Sequence, residues 1–208
     1  MSETSGLVSL GAVFTLFFVT LGPLKILGPF AQLTHEADGT TVRKIAVRAF
    51  VLAVIAVLAG GFVGRALVHN WHVSVPALLL TGGIIFFLVG LRQVLEQYEP
   101  VHAATSPLPA APLAAAMKVA FPTVVTPYGI AALIVLLANS QDTERTSALV
   151  AILISVMVLN LLAMLFARKI MAGVTLIALH ILGAVLGVLQ VALAVEMILR
   201  ALGDLNVL

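Results

Sequence analysis

The chain has 208 residues, 62% of them apolar and 10% charged, with a formal charge of +2 and no cysteine. Soluble domains hold roughly 45–50% apolar and 25% charged residues, so this composition, with a mean hydropathy of +1.18, excludes an ordinary water-soluble enzyme and places the protein in a lipid bilayer. A small basic excess on a sparsely charged chain implies no nucleic-acid partner, and the lack of cysteine removes disulfides, thiolate metal sites and thiol nucleophiles.

Residues 1–6 carry Glu3 and no basic residue. A secretory leader opens on a basic stretch, so this segment is expected to be retained as the start of the first span. Apolar runs follow at about Leu7–Leu33, Ile45–Val68, Val75–Leu95, Leu113–Ala138, Ser147–Phe166 and Leu176–Ala201. Each is long enough for a helix across a hydrocarbon core of about 30 Å, and none alternates like a barrel strand. The expected architecture is a single all-α membrane domain over residues 1–208 with six transmembrane helices. Between the third and fourth runs, Pro100, Pro107, Pro109 and Pro112 mark a linker at about 96–112, which separates repeat 1 (about 7–95) from repeat 2 (about 113–201).

Alternate loops differ in charge. One side holds Arg43, Lys44, Arg48, Arg92, Lys118, Arg168 and Lys169, the other Arg65, Arg145 and Arg200. Because basic loops stay in the cytoplasm, both termini are expected outside.

The halves share an irregularity. Gly22-Pro23, Lys25 and Gly28-Pro29 interrupt the first run, and Pro122 and Pro127 interrupt the fourth, beside Thr123, Thr126 and Gly129. The strings at 20–26 and 124–130 place a small residue, then Pro, then Ile three further on, at an offset of 104 residues; Gly82-Gly83 and Gly183-Ala184 echo each other at an offset of 101. Three crossings per half would make the copies inverted, the design of many secondary transporters. The first and fourth helices are therefore expected to break at proline.

A proline inside a helix removes a donor at a cost of about 3 kcal/mol. In hydrocarbon the freed carbonyls have no water to turn to, so such breaks persist where protein or a wet cavity surrounds them. Freed N–H groups suit a carboxylate and freed carbonyls suit an ammonium. Two matched breaks could thus bind a zwitterion through Thr20, Gly22, Pro23, Lys25, Thr123, Thr126, Pro127, Tyr128 and Gly129. The plainer reading is that the prolines kink helices and the threonines bond their own preceding carbonyls.

Other polar residues have competing explanations. Lys25 either snorkels to the interface or touches substrate or a counter-ion, the first being favoured. Glu196 is a candidate proton carrier beside Gln190, while Arg200 four residues on suits an ion pair. Asn160 and His180 could support substrate, although packing is favoured for both. Gly60 to Gly64 and Gly183 to Gly187 fit close helix approach, within the fold or in a homo-oligomer. His69 and His72 flank Trp71, an interfacial anchor, without further ligands for a metal. No nucleotide-binding loop is present, and no cofactor is implied.

Gly-Pro-Leu-Lys in the first run, Val-Pro-Ala-Leu-Leu-Leu-Thr-Gly-Gly (75–83), Ala-Phe-Pro-Thr-Val-Val-Thr-Pro-Tyr-Gly-Ile-Ala (120–131) and His-Ile-Leu-Gly…Ala-Val-Glu-Met-Ile-Leu (180–199) occur in one order along the chain. Together they resemble the MarC family of six-span inner-membrane proteins. The chain departs from the family where Gly22-Pro23 replaces Asn-Pro and Thr126-Pro127-Tyr128 replaces Gly-Pro-Gly. A further departure replaces an arginine common in the family with Leu79, whose counterpart is His180. The resemblance implies a multi-pass protein of the inner (plasma) membrane that carries small neutral amino acids such as glycine and alanine, grouped with exporters of the LysE type. The expected function is thus an alternating-access exporter or exchanger, with a proton or cation as the candidate coupling ion. A solute channel and a non-transporting scaffold are the alternatives, and an intramembrane enzyme is not expected.

Overall fold

A computed structural model of the chain describes residues 9–95, 111–140, 142–173 and 176–205. The N-terminal segment 1–8 and all of the expected linker except 111–112 lie outside the described residues, as do the side chains of Pro122, Tyr128 and His180. The described residues are helical, without a strand. Among the described residues, five helical segments are long and apolar enough to cross a membrane: Leu10–Leu33, Gly39–Asn70, Val75–Arg92, Thr143–Ala172 and Gly183–Asp204. The remaining apolar run, Leu113–Ala138, is divided into shorter pieces.

Helix α1 (Leu10–Leu21) starts at Ser9, whose side chain accepts from the N–H of Ala12 at 3.3 Å. It ends where Gly22 turns extended, with φ −77° and ψ 172°. Pro23 then opens α2 (Leu24–Leu33), which accommodates Pro29 in its interior. Asp38 caps α3 (Gly39–Asn70) by accepting from the N–H groups of Thr40 and Thr41, each at 3.1 Å. This helix begins before the expected Ile45, because Arg43 and Lys44 are good helix formers even where they leave the hydrocarbon. Its 32 residues run about 48 Å at 1.5 Å per residue, well beyond a core of about 30 Å. α7 (Thr143–Gly173) likewise outruns the expected Ser147–Phe166 at both ends.

The fourth run is built from α5 (Pro112–Val119), a π-helical turn (Ala120–Val124), extended residues at Val125 and Thr126, and α6 (Pro127–Ala138). In the π turn the N–H of Val125 reaches back five residues to Ala120 O at 2.8 Å. Pro127 sits in the first turn of α6, where a missing N–H has no helical partner to lose. The breaks therefore avoid most of the penalty of a proline inside a helix: Pro23 and Pro127 start second segments, and the residues before them make the break.

Packing joins the halves. α4 (Val75–Leu95) lies along α8 (Leu176–Asp204), α3 packs on α5 and α6, and α7 packs on α1 and α2. A Cβ on Gly83 would come within 3.1 Å of Ala194 O, and one on Gly90 within 3.2 Å of Gly187 O, so α4 and α8 touch through their backbones. Gly60, Gly61 and Gly64 of α3 face Ile130, Leu133 and Ile134 of α6. These glycines serve close approach within the fold.

Candidate functional site

The two breaks meet. Thr126, 6% exposed, caps α6 with its hydroxyl oxygen, which accepts from the N–H of Gly129 at 3.2 Å. The same hydroxyl donates a long hydrogen bond of 3.5 Å to the carbonyl of Thr20, next to last in α1. Gly129 lies against Leu21, whose side chain would collide with any Cβ there. Asn160 of α7 closes the group from a third direction: its amide nitrogen donates to the carbonyl of Leu21 and to that of Val156, the latter at 3.3 Å. Its side-chain oxygen has no hydrogen-bond partner although the residue is 1% exposed.

The electrostatics follow from helix ends. α1 terminates at Leu21 with carbonyls that lack the next turn, and Pro23 has no N–H to offer the carbonyl of Val19. That end carries partial negative charge, while α6 begins at Thr126 and Pro127 with partial positive charge. The acceptor-rich end of α1 and the oppositely charged start of α6 thus meet at the buried Thr20 and Thr126, an arrangement suited to a small dipolar ligand.

The expected site residues divide accordingly. Thr20, Gly22, Thr126 and Gly129 are buried at the meeting of the breaks, with Pro23 half-buried beside Gly22. The hydroxyl of Thr20 donates to Leu16 O at 2.7 Å, the self-bonding expected of a membrane threonine. Lys25 and Thr123 are half-buried and Pro127 exposed, while the side chains of Tyr128 and His180 are outside the description. Glu196 accepts from Arg200 Nε at 2.8 Å with both side chains about half exposed, which is the ion pair their spacing suggested. Gln190 is buried between α4 and α8, donating to Phe86 O at 3.3 Å. Among the described residues no group of three or more His, Cys, Asp or Glu could hold a metal ion.

Two arginines counted in the sequence only for their charge tie the ends of the molecule. Arg168 of α7 donates to the carbonyls of Thr34, His35 and Ala37, at 3.3 Å for His35 and 2.6 Å for Ala37. These carbonyls follow the C-terminal end of α2, where a cation is favoured. Arg65 of α3 donates to Ser140 O at 3.3 Å, just past the end of α6. The only sequence signal for either contact was a basic residue near the end of a long apolar helix.

A family model described as MarC family integral membrane protein matches residues 7–205. A UPF0056 membrane protein of Methanocaldococcus jannaschii is 26% identical over 194 residues, covering 91% of this chain and 93% of the relative. No solved structure matches the chain. With the match running through both breaks and every helix described above, the chain belongs to the MarC family of integral membrane proteins.

Proposed function

We propose that the protein is a secondary transporter of small neutral amino acids, with glycine and alanine as the reference solutes. It works by alternating access around a site where the first and fourth spans break, and it counts six spans arranged as two inverted three-helix repeats. The observation that carries this reading is the Thr126 hydroxyl, which joins the start of α6 to the last turn of α1 in a buried setting. Opposed helix ends in a membrane interior are the features from which transporters build dipolar-ligand sites. The burial of Thr20, Thr126 and Asn160 favours a carrier that opens in turn over a permanently open pore.

Pseudo-symmetry in the contacts supports the repeat. Gly83 and Gly187 are separated by 104 residues, like Phe86 and Gln190. Gly83 faces Ala194 and Ile198 of α8, while Gly187 faces their counterparts Gly90 and Val94 of α4. This exchange of partners is what a two-fold axis produces, and it pairs Gly83 with Gly187 in place of the Gly183-Ala184 echo. The arginine contacts are exchanged in the same way, Arg65 to the end of α6 and Arg168 to the end of α2.

The test is counterflow. Purified protein in liposomes loaded with unlabelled alanine or glycine is expected to accumulate the labelled amino acid saturably, and Thr126→Val to abolish most of that accumulation while still folding. Absence of counterflow across a panel of neutral amino acids, from protein shown to be folded, rejects the substrate assignment. Unchanged counterflow in the folded variant removes Thr126 from the site.

A further inference from the structure

We propose that the side-chain oxygen of Asn160 receives the ammonium group of the transported solute at the break between α1 and α2. The inference rests on the transport reading above and assigns one end of the solute to one atom of the protein.

The orientation of the amide follows from its neighbours. The nitrogen end of Asn160 meets two carbonyl oxygens, Leu21 O and Val156 O. Carbonyls only accept, so a flipped amide would set oxygen against oxygen at both contacts. The nitrogen must face them, and the side-chain oxygen is turned away, buried and without a partner. A buried unmet acceptor bears its full desolvation cost, whereas a leucine of similar size would bear none in the same place.

The surroundings select what meets that oxygen. Leu21 is the last residue of α1, so the amide is pinned at the break itself. The adjoining main chain is rich in acceptors: Pro23 cannot donate to Val19 O, and the hydroxyl proton of Thr20 is committed to Leu16 O. An ammonium has three donors and no acceptor, and it is further favoured by the partial negative charge of the α1 C-terminus. A carboxylate at the other end of the solute would then lie towards the N-terminus of α6. Gln190 also carries an unpartnered buried oxygen, but it lies between α4 and α8, neither of which is broken.

The experiment compares L-alanine with propionate, which keeps the carboxylate and lacks the ammonium, by ligand-induced thermal stabilisation of the purified full chain. Wild-type protein is expected to bind alanine about tenfold or more tightly than propionate, as charge-assisted hydrogen bonds require. Asn160→Leu is expected to remove that preference by weakening alanine alone. Asn160→Asp, which as the neutral acid keeps an O–H towards Leu21 O and an oxygen towards the solute, is expected to keep it. Equal weakening of both ligands in Asn160→Leu, or unchanged alanine binding, overturns the assignment. If Asn160→Leu does not fold, loss of the alanine preference in folded Asn160→Asp overturns it instead, and retention supports it. Wild-type protein that binds no neutral amino acid rejects the transport reading itself, a result obtained before any variant is made.

Discussion

At Gly22 the main chain leaves helical geometry while φ stays at −77°, so glycine is needed there for its size: a Cβ would be driven into the backbone carbonyl of Phe18. The break thus depends on a missing side chain as much as on the proline beside it. Asp38 shows the opposite economy, a single side chain that satisfies several donors. The Thr40 hydroxyl, the Thr41 hydroxyl and the N–H groups of both residues bond its carboxylate and hold its pKa well below the ordinary value. A depressed carboxyl pKa stabilises the folded state fully above the unfolded value of about 3.9 and loses that contribution as pH falls below it. Melting temperature is therefore expected to drop from about pH 4 downward. Asp38→Ala, measured in the same detergent, should have a lower melting temperature at neutral pH and a flatter acid limb; an unchanged acid limb would assign the acid lability to other carboxylates.

At the scale of elements, the legible features were those whose chemistry is local. Proline and glycine act on the residues next to them, so the breaks near Gly22-Pro23 and before Pro127 could be read from the sequence. The π turn at Ala120–Val124 could not, because no residue type requires one. An interhelical hydrogen bond from Asn160 was expected, but not its partner, a main-chain carbonyl 139 residues away that leaves no side-chain signature. Hydropathy also stopped α3 and α7 too early, since it ends at charges that a helix tolerates. The interface of α4 with α8 makes a sharper claim than small-residue spacing alone. A side chain at Gly187 would meet Val94 Cγ2 at 2.9 Å and Gly90 O at 3.4 Å, whereas one at Gly203 on the same helix has nothing within 4 Å. Gly187→Leu is expected to cost about 1–3 kcal/mol through overpacking, and Gly203→Leu to be neutral or slightly stabilising through helix propensity. Thermal unfolding of the two variants in one detergent checks this, and equal melting temperatures would mean that α4 and α8 are not pressed together in solution.

For the whole molecule, the inverted-repeat reading has a consequence for how the chain enters the membrane. Two halves related by an axis in the membrane plane present similar architecture to either side, so shape decides little about orientation and charge must decide it. The arginine contacts define the two ends: Arg168 gathers the segment after α2 to the end of α7, and Arg65 gathers the segment after α6 to the end of α3. Arg43, Lys44, Arg48 and Lys169 belong with Arg168 at the first end, and Arg145 belongs with Arg65 at the other. The first end is therefore expected in the cytoplasm, where it is also drawn by anionic lipid. Because the chain has no cysteine, single replacements report this without a background. Ser74→Cys, exposed between α3 and α4, should react with a membrane-impermeant maleimide on intact cells. Glu36→Cys, whose side chain is 89% exposed beside the end of α2, should react only after the membrane is opened. The reverse pattern would place both termini inside and the Arg168 contact outside, while labelling of both sites on intact cells would mean that the basic residues named here do not suffice to orient the chain.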